Sequence, residues 1–142
     1  MSGHAPVDAI QLAIDVPVDA PAAWAAITDP ARIIEWFTDA SALGPAGSPY
    51  RLDFGDGSVV EGTVLTVEPG YRFSHTWSWA GADPDETTTV TWSVEPLGDG
   101  RSRILLVHGD WDEARLDAAA RDEHESYWTG YLEDLVAVLG AG

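Results

Sequence analysis

Three histidines are the side chains best suited to acid–base chemistry in this sequence of 142 residues. His75, His108 and His124 all fall on faces predicted to point inward, and histidine changes charge close to neutral pH. A buried neutral imidazole needs hydrogen-bond partners. Together the three could therefore orient a ligand, or one of them could act as a general base. Taken singly, each is more simply interpreted as a hydrogen-bonded core or rim histidine.

Metal and cofactor chemistry has no support in the sequence. There is no cysteine, and the spacing of the histidines matches no set of metal ligands. The sequence also has no glycine-rich phosphate loop, serine elbow or zinc-binding helix motif. We therefore predict neither a metal nor another cofactor.

The carboxylates are too numerous, at 24, for any one pair to stand out as catalytic. Three of them are predicted near the mouth of a cavity: Glu35, Asp39 and Glu61. Asp53 and Glu61 could at most adjust the polarity of such a cavity. Asp110, Asp112 and Glu113 are interpreted as charges at the start of the last helix, where they favour the helix dipole.

A run of large side chains at every second position indicates a β-strand with one aromatic face. The run comprises Tyr71, Phe73, His75, Trp77 and Trp79. Five bulky side chains are more than a small core usually needs from one strand. The element that packs over them could therefore leave room for a ligand. The alternative is an ordinary aromatic core. We hypothesise that Trp77, Trp79 and Trp92 line a cavity, since ligand cavities are mostly apolar.

The remaining periodicity places this strand in an antiparallel sheet. Strands are predicted at 9–16, 50–54, 59–67, 71–79, 87–94 and 104–108, with two short helices after the first strand. From about 112 to 139 the period changes to 3.6, which predicts one long helix with an apolar stripe. That helix is the element available to cover one face of the sheet. We predict a single α+β domain over 1–142, with an ordered core of about 8–140.

The charge pattern limits the partners. The formal net charge is −17 and there is no lysine, so the surface repels phosphate backbones and anionic lipids. No apolar run approaches the roughly 20 residues that cross a bilayer, and no signal peptide is visible. We expect a cytoplasmic protein that binds neither nucleic acid nor membrane. A protein partner is possible, and the oligomeric state stays open between monomer and dimer.

Several segments in order along the chain resemble those of a known superfamily. They are Val16–Pro21 with Trp24, Thr28–Pro30 with Trp36 and Phe37, Glu68–Pro69, Thr76–Trp79, Gly100–His108, and the set His124, Trp128, Leu132 and Leu135. The pattern resembles the START-like (SRPBCC, Bet v-like) superfamily, in the branch of homologues of the heat-shock-chaperone ATPase activator. That branch usually has glycine directly before the helix tryptophan, where this chain has Tyr127.

The resemblance implies a helix-grip fold, in which a curved antiparallel sheet wraps around the long C-terminal helix. It also implies a hydrophobic tunnel between sheet and helix. Members bind lipids, polyketides and other apolar molecules, and a minority are cyclases or hydrolases. We therefore expect a non-catalytic protein that binds a small apolar or aromatic ligand. The predicted cavity residues are Trp36, Phe54, Phe73, His75, Trp77, Trp79, Trp92, Leu106, His108, His124, Trp128 and Tyr131.

Two alternatives remain at this point. One is an enzyme of cyclase, aromatase or hydrolase type on the same cavity, with His75 or His124 as base. The other is a protein-interaction module, similar to a chaperone activator, that docks through the outer face of the sheet. Leu105 and Val107 suggest an apolar stripe on that face, unless the first helix covers them.

Overall fold

The computed structural model describes residues 8–111, 116 and 118–141. The strands are β1 (Ile10–Val16), β2 (Asp39–Ala40), β3 (Pro49–Asp53), β4 (Val59–Glu68), β5 (Arg72–Trp79), β6 (Thr88–Gly98) and β7 (Arg101–Gly109). The α-helices are α1 (Ala20–Thr28), α2 (Pro30–Ile33) and α3 (Ala118–Ala141), and a 3-10 turn covers Pro84–Glu86.

All seven strands form one antiparallel sheet in the order β1-β7-β6-β5-β4-β3-β2. The predicted helix-grip fold is confirmed, with α1 and α2 after the first strand and the long α3 at the end. The short β2 is an addition that sequence periodicity did not predict. Register shifts in the β4–β5 and β6–β7 pairs mark bulges, and bulges bend a sheet.

The two short helices begin where the sequence supplies caps. The Asp19 side chain accepts a hydrogen bond from the Ala22 N–H at 3.0 Å, and Asp29 does the same for Ala31 at 3.0 Å. A proline follows within the first turn of each helix, where its missing N–H costs nothing. Trp36 then donates from its indole nitrogen to the Ala26 carbonyl at 2.8 Å. This bond fixes the segment after α2 against α1.

The long helix α3 covers the concave face, and it buries Trp128, Leu132 and Leu135. In the described residues it begins at Ala118, later than predicted. Asp110 does not belong to this helix, so the prediction that it lies at the helix start is wrong. It has a φ of 67° after β7 and accepts a hydrogen bond from the Thr89 hydroxyl at 2.6 Å. Residues 112 and 113, assigned the same role, lie outside the described residues.

Tyr71 does not belong to the aromatic face of β5, which corrects the alternation prediction at its first position. Its N–H donates to the Glu68 carbonyl at 2.9 Å, so the residue still belongs to the preceding turn. Its side chain is 65% exposed. Phe73, His75 and Trp77 are buried as predicted.

Among the described residues, no helix covers the outer face of the sheet at β7. Trp24 of α1 packs edge-on against Phe73, with ring centroids 5.6 Å apart, so α1 lies on the concave side with α3. Leu105 is half-buried and Val107 is 37% exposed. Among the described residues, no helix is long and apolar enough to cross a membrane.

Candidate functional site

A cavity of about 470 Å³ lies between the β3–β4 hairpin, the end of β5 and one side of α3. Its volume falls within the range of small-molecule sites, roughly 300–1,000 Å³. Its lining residues are Phe37, Thr38, Phe54, Asp56, Ser58, Trp77, Trp79, Glu123, His124, Tyr127, Trp128 and Tyr131. The wall is therefore mainly aromatic, with polar groups toward the mouth.

The structure brings six of the twelve predicted cavity residues together around this space. They are Phe54, Trp77, Trp79, His124, Trp128 and Tyr131. Trp36, His75 and Trp92 border only a void of about 10 Å³, which is too small for any ligand. Phe73, Leu106 and His108 are fully buried in the core. Strand parity specifies which face a side chain occupies, but not whether space remains beside it.

Six further lining residues were not predicted: Phe37, Thr38, Asp56, Ser58, Glu123 and Tyr127. Phe37 was detectable as the neighbour of Trp36, and Asp56 as the tip of a glycine-flanked hairpin turn. The carboxylates predicted at a cavity mouth lie elsewhere. Asp39 and Glu61 are exposed away from the cavity, and Glu35 lies 3.5 Å from Arg32.

Trp77 supplies an unpaired hydrogen-bond donor on the cavity wall. The residue is 4% exposed, and its ring lies 5.2 Å from that of Trp128. Within the described part of the chain, its indole nitrogen is the one buried side-chain polar atom without a hydrogen-bond partner. A buried donor left unpaired costs roughly 1–3 kcal/mol. The nitrogen itself has almost no accessible surface, so an acceptor atom on a bound molecule would recover that cost only after a shift of the indole ring.

His108 is the centre of a hydrogen-bond relay behind the wall. Trp128 donates from its indole nitrogen to Nδ1 at 3.0 Å, so His108 carries its proton on Nε2. Nε2 then donates to the Thr88 hydroxyl at 2.7 Å, and that hydroxyl donates to the Trp77 carbonyl at 3.3 Å. Burial, with His124 and His75 nearby, holds the pKa of His108 well below its usual value. This histidine is neutral and fully bonded.

His124 lies in the cavity wall itself, on the side formed by α3. Its Nε2 accepts a hydrogen bond from the Trp79 indole nitrogen at 3.1 Å, and its Nδ1 donates to the Ala120 carbonyl at 2.8 Å. Both ring nitrogens are therefore engaged in the described structure. Its ring centroid lies 5.5 Å from that of His108.

His75 lies apart from the cavity, in the core beneath α2. Its Nδ1 donates to the Thr76 carbonyl at 2.8 Å, and its ring lies 4.3 Å from that of Tyr50. Burial lowers the pKa of His75 to about 4. In residues 8–111, 116 and 118–141, no group of three histidine or carboxylate side chains could hold a metal ion.

The mouth of the cavity is acidic and aromatic. Tyr127 is 52% exposed and donates from its hydroxyl to the Glu123 carboxylate at 3.0 Å. The tyrosine that replaces the usual glycine of the motif therefore lies at the rim. Across the mouth, Asp56 accepts a hydrogen bond from the Ser58 N–H at 2.9 Å. Hydrogen bonds from Ser58 hold the pKa of this carboxyl below its usual value.

A second depression, of about 590 Å³, lies between α1 and the loop at 42–46. It is more open to solvent than the first cavity. Its lining residues are Trp24, Thr28, Ala42, Leu43, Gly44, Pro45, Ala46, Val67 and Pro69. No titratable side chain is found among the described residues of its lining, so the aromatic cavity is the better candidate for a functional site.

Comparison with solved structures shows the same architecture in other proteins. The chain is similar to DynU16, a putative protein in the dynemicin biosynthetic locus, with 27% identity and a TM-score of 0.81. The alignment covers 95% of this chain and 48% of DynU16, so this chain spans about half of that protein. It is also similar to the AHSA1 protein SPO3351 from Silicibacter pomeroyi, with 25% identity, a TM-score of 0.73, and coverage of 94% and 98%.

CalU16 from Micromonospora echinospora shares the fold at 23% identity and a TM-score of 0.73, over 89% of this chain and 73% of CalU16. No functionally curated protein matches the chain. Residues 17–140 match the family described as activator of Hsp90 ATPase homolog 1-like protein. Because that match covers most of the chain, the protein belongs to the AHSA1 family, within the START-like SRPBCC superfamily of helix-grip proteins.

Proposed function

We propose that this protein binds a small apolar or aromatic molecule in the cavity between the β3–β4 hairpin, β5 and α3, without transforming it. The observation that carries the proposal is the pairing of an aromatic-walled space of about 470 Å³ with an unpartnered buried donor on Trp77. Apolar walls with a few polar groups are typical of ligand sites.

The relatives lend the proposal independent support. DynU16 is a putative protein in a biosynthetic locus for dynemicin, and this chain is 27% identical to it over the shared region. A protein that holds a small-molecule intermediate or product would fit that setting. The proposed ligand class is therefore a small aromatic metabolite with an oxygen acceptor that can reach the Trp77 indole.

The geometry gives less support to catalysis by histidine. His75 lies outside the cavity and has a pKa of about 4, so it is a weak base. His124 lines the cavity, but its Nε2 lone pair already accepts the Trp79 hydrogen bond. A general base must reach its proton through a free lone pair, and His124 would first have to break that bond.

Binding of a neutral naphthalene dye with a carbonyl acceptor tests the proposal. We expect 6-propionyl-2-dimethylaminonaphthalene to bind one site, with a blue shift of its emission. Ser58→Trp would fill the cavity from its lining and abolish the shift. Ser93→Trp, on the outer face of β6, is the matched control and should leave binding unchanged. Trp77→Phe removes the donor and leaves a smaller aromatic ring in the wall, and should weaken binding about threefold to tenfold.

Equal binding by the parent protein and Ser58→Trp would show that the dye binds elsewhere and would contradict the proposal. Native mass spectra of freshly purified protein provide a second measurement. Extra mass that disappears under denaturing conditions, and is absent from Ser58→Trp, would identify a co-purified ligand. Thermal unfolding of each variant verifies that it is folded.

A further inference from the structure

We propose that the cavity selects ligands that carry a protonated amine at the mouth, adjoining their aromatic part. This inference rests on the proposed function, because it specifies the charge of the ligand that the same cavity takes. Its support comes from the two carboxylates at the mouth, the aromatic rings beside them and the charge of the described lining.

The charge of the lining is one-sided. Among the described residues, Asp56 on the hairpin and Glu123 on α3 are the charged side chains of the lining, and no described arginine contributes to it. A ligand carboxylate or phosphate would meet these two anions without a countercharge. An ammonium group beside either carboxylate would form a charge-assisted hydrogen bond, which is stronger than a neutral one.

The field of the carboxylates reaches into the cavity. Burial raises the pKa of the Tyr131 hydroxyl, and the negative charges of Asp134 and Asp56 raise it further. Tyr131 packs on the ring of Phe37 with centroids 4.6 Å apart, so its ring is part of the wall. The charge of Asp56 therefore acts on the hydroxyl of Tyr131, which is a residue of the lining.

The rings beside the carboxylates suit an organic cation. Tyr127 lies at the rim, and Phe54 packs 5.5 Å from Trp79 on the opposite side. A cation within about 6 Å of such ring faces is attracted by their quadrupoles. Deeper in the lining, Trp77 carries the unpaired buried donor described above, an observation separate from the charge of the mouth. The amine and the acceptor would then lie at opposite ends of the bound molecule.

Three naphthalene probes that differ mainly in charge test the inference by calorimetry at pH 7 and low salt. They are 2-(2-naphthyl)ethylamine, 2-(2-naphthyl)ethanol and 3-(2-naphthyl)propionate. We expect the amine to bind at least about tenfold more tightly than the alcohol, and the propionate to bind more weakly than either. Because the carboxylates are exposed, the preference for the amine should shrink at 0.5 M salt.

Asp56→Asn and Glu123→Gln should each weaken binding of the amine at least about threefold and leave the alcohol unchanged. Glu61→Gln, on the outer face of β4, is the matched control, because it removes one negative charge and changes the net charge of the protein by the same amount. Equal losses in Glu61→Gln and Asp56→Asn would overturn the inference, because the preference would then come from the net charge of −17.

The outcomes separate this inference from the proposed function. Equal affinity for amine and alcohol, both lost in Ser58→Trp, would overturn the charge preference and retain the ligand cavity. If neither the three probes nor the neutral dye bound the parent protein, the proposed function would fail and this inference with it.

Discussion

The indole nitrogen of Trp79 donates to Nε2 of His124 across 3.1 Å, and this bond joins the end of β5 to α3. The acceptor role of Nε2 requires that the histidine proton sit on Nδ1, which donates to the Ala120 carbonyl. The Trp79–His124 bond thus ties the sheet to the helix at the wall of the cavity.

Trp79→Phe should lower the free energy of unfolding by about 1 kcal/mol beyond the loss of ring area, because the bond to His124 disappears. Urea denaturation measures this difference. Trp24→Phe is the matched control, since Trp24 is also half-buried and its indole nitrogen has no protein hydrogen bond among the described residues. Equal losses in the two variants would mean that the Trp79–His124 bond contributes nothing.

Stability should fall as the pH decreases from about 6.5 toward 4. His75 has a folded pKa of about 4, and burial also lowers the pKa of His108. An unfolded histidine titrates near 6.5, so within this window the unfolded chain binds more protons than the folded one. The free energy of unfolding therefore rises with pH there, by up to about 1.4 kcal/mol per pH unit for each such histidine.

His75→Phe tests the assignment of that slope. The readout is the slope of unfolding free energy against pH between 6 and 4.5, not its absolute value. The variant should lose the contribution of His75 and keep that of His108. A slope identical to that of the parent protein would contradict the prediction.

The relay behind the cavity makes Thr88 sensitive to substitution. Thr88→Val removes the acceptor of the His108 Nε2–H and leaves a buried donor unpaired. We expect a loss of about 2 kcal/mol in unfolding free energy. Thr91→Val, on the outer face of the same strand, should stay within about 0.5 kcal/mol of the parent protein. Comparable losses at both positions would argue against the relay.

Two glycines should respond to alanine with opposite signs. A Cβ at Gly62 of β4 would collide with the backbone carbonyl oxygen of Thr76, whereas at Gly130 of α3 nothing lies within 4 Å. Gly62→Ala should cost at least about 2 kcal/mol, through overpacking against backbone that cannot yield. Gly130→Ala should stabilise the helix by about 0.5–1 kcal/mol. Thermal and chemical unfolding measure both effects.

The fold was predictable from the periodicity of apolar residues, because each face of a strand or helix is either buried or exposed to solvent. Phe73, His75 and Trp77 follow that rule, and so do Trp128, Leu132 and Leu135. Tyr71 breaks it, since the turn ending at Gly70 keeps it out of the strand. The same rule could not separate wall from core. Trp92 faces inward like Trp79, but Trp36 packs 6.0 Å from it and occupies the space.

The mouth was harder to predict because its residues come from a turn and from the exposed side of a helix. In the sequence, Asp56 stands between Gly55 and Gly57 and is interpreted as an ordinary hairpin-turn residue. Glu123 and Tyr127 lie one helical turn apart and outside the apolar stripe. Their convergence depends on how β3 and β4 meet α3, which local patterns do not encode.

The mouth and the interior of the cavity are therefore formed by separate sets of residues. Asp56 stands between two glycines with φ of 82° and 94°, and Tyr127 is half exposed. Substitutions at exposed positions usually alter the free energy of unfolding by no more than about 0.5 kcal/mol. Substitutions of the buried tryptophans lower it by more. Substitutions at the entrance should therefore change the charge and polarity of the mouth at little cost in stability, whereas the shape of the interior is fixed by residues on which the fold itself depends.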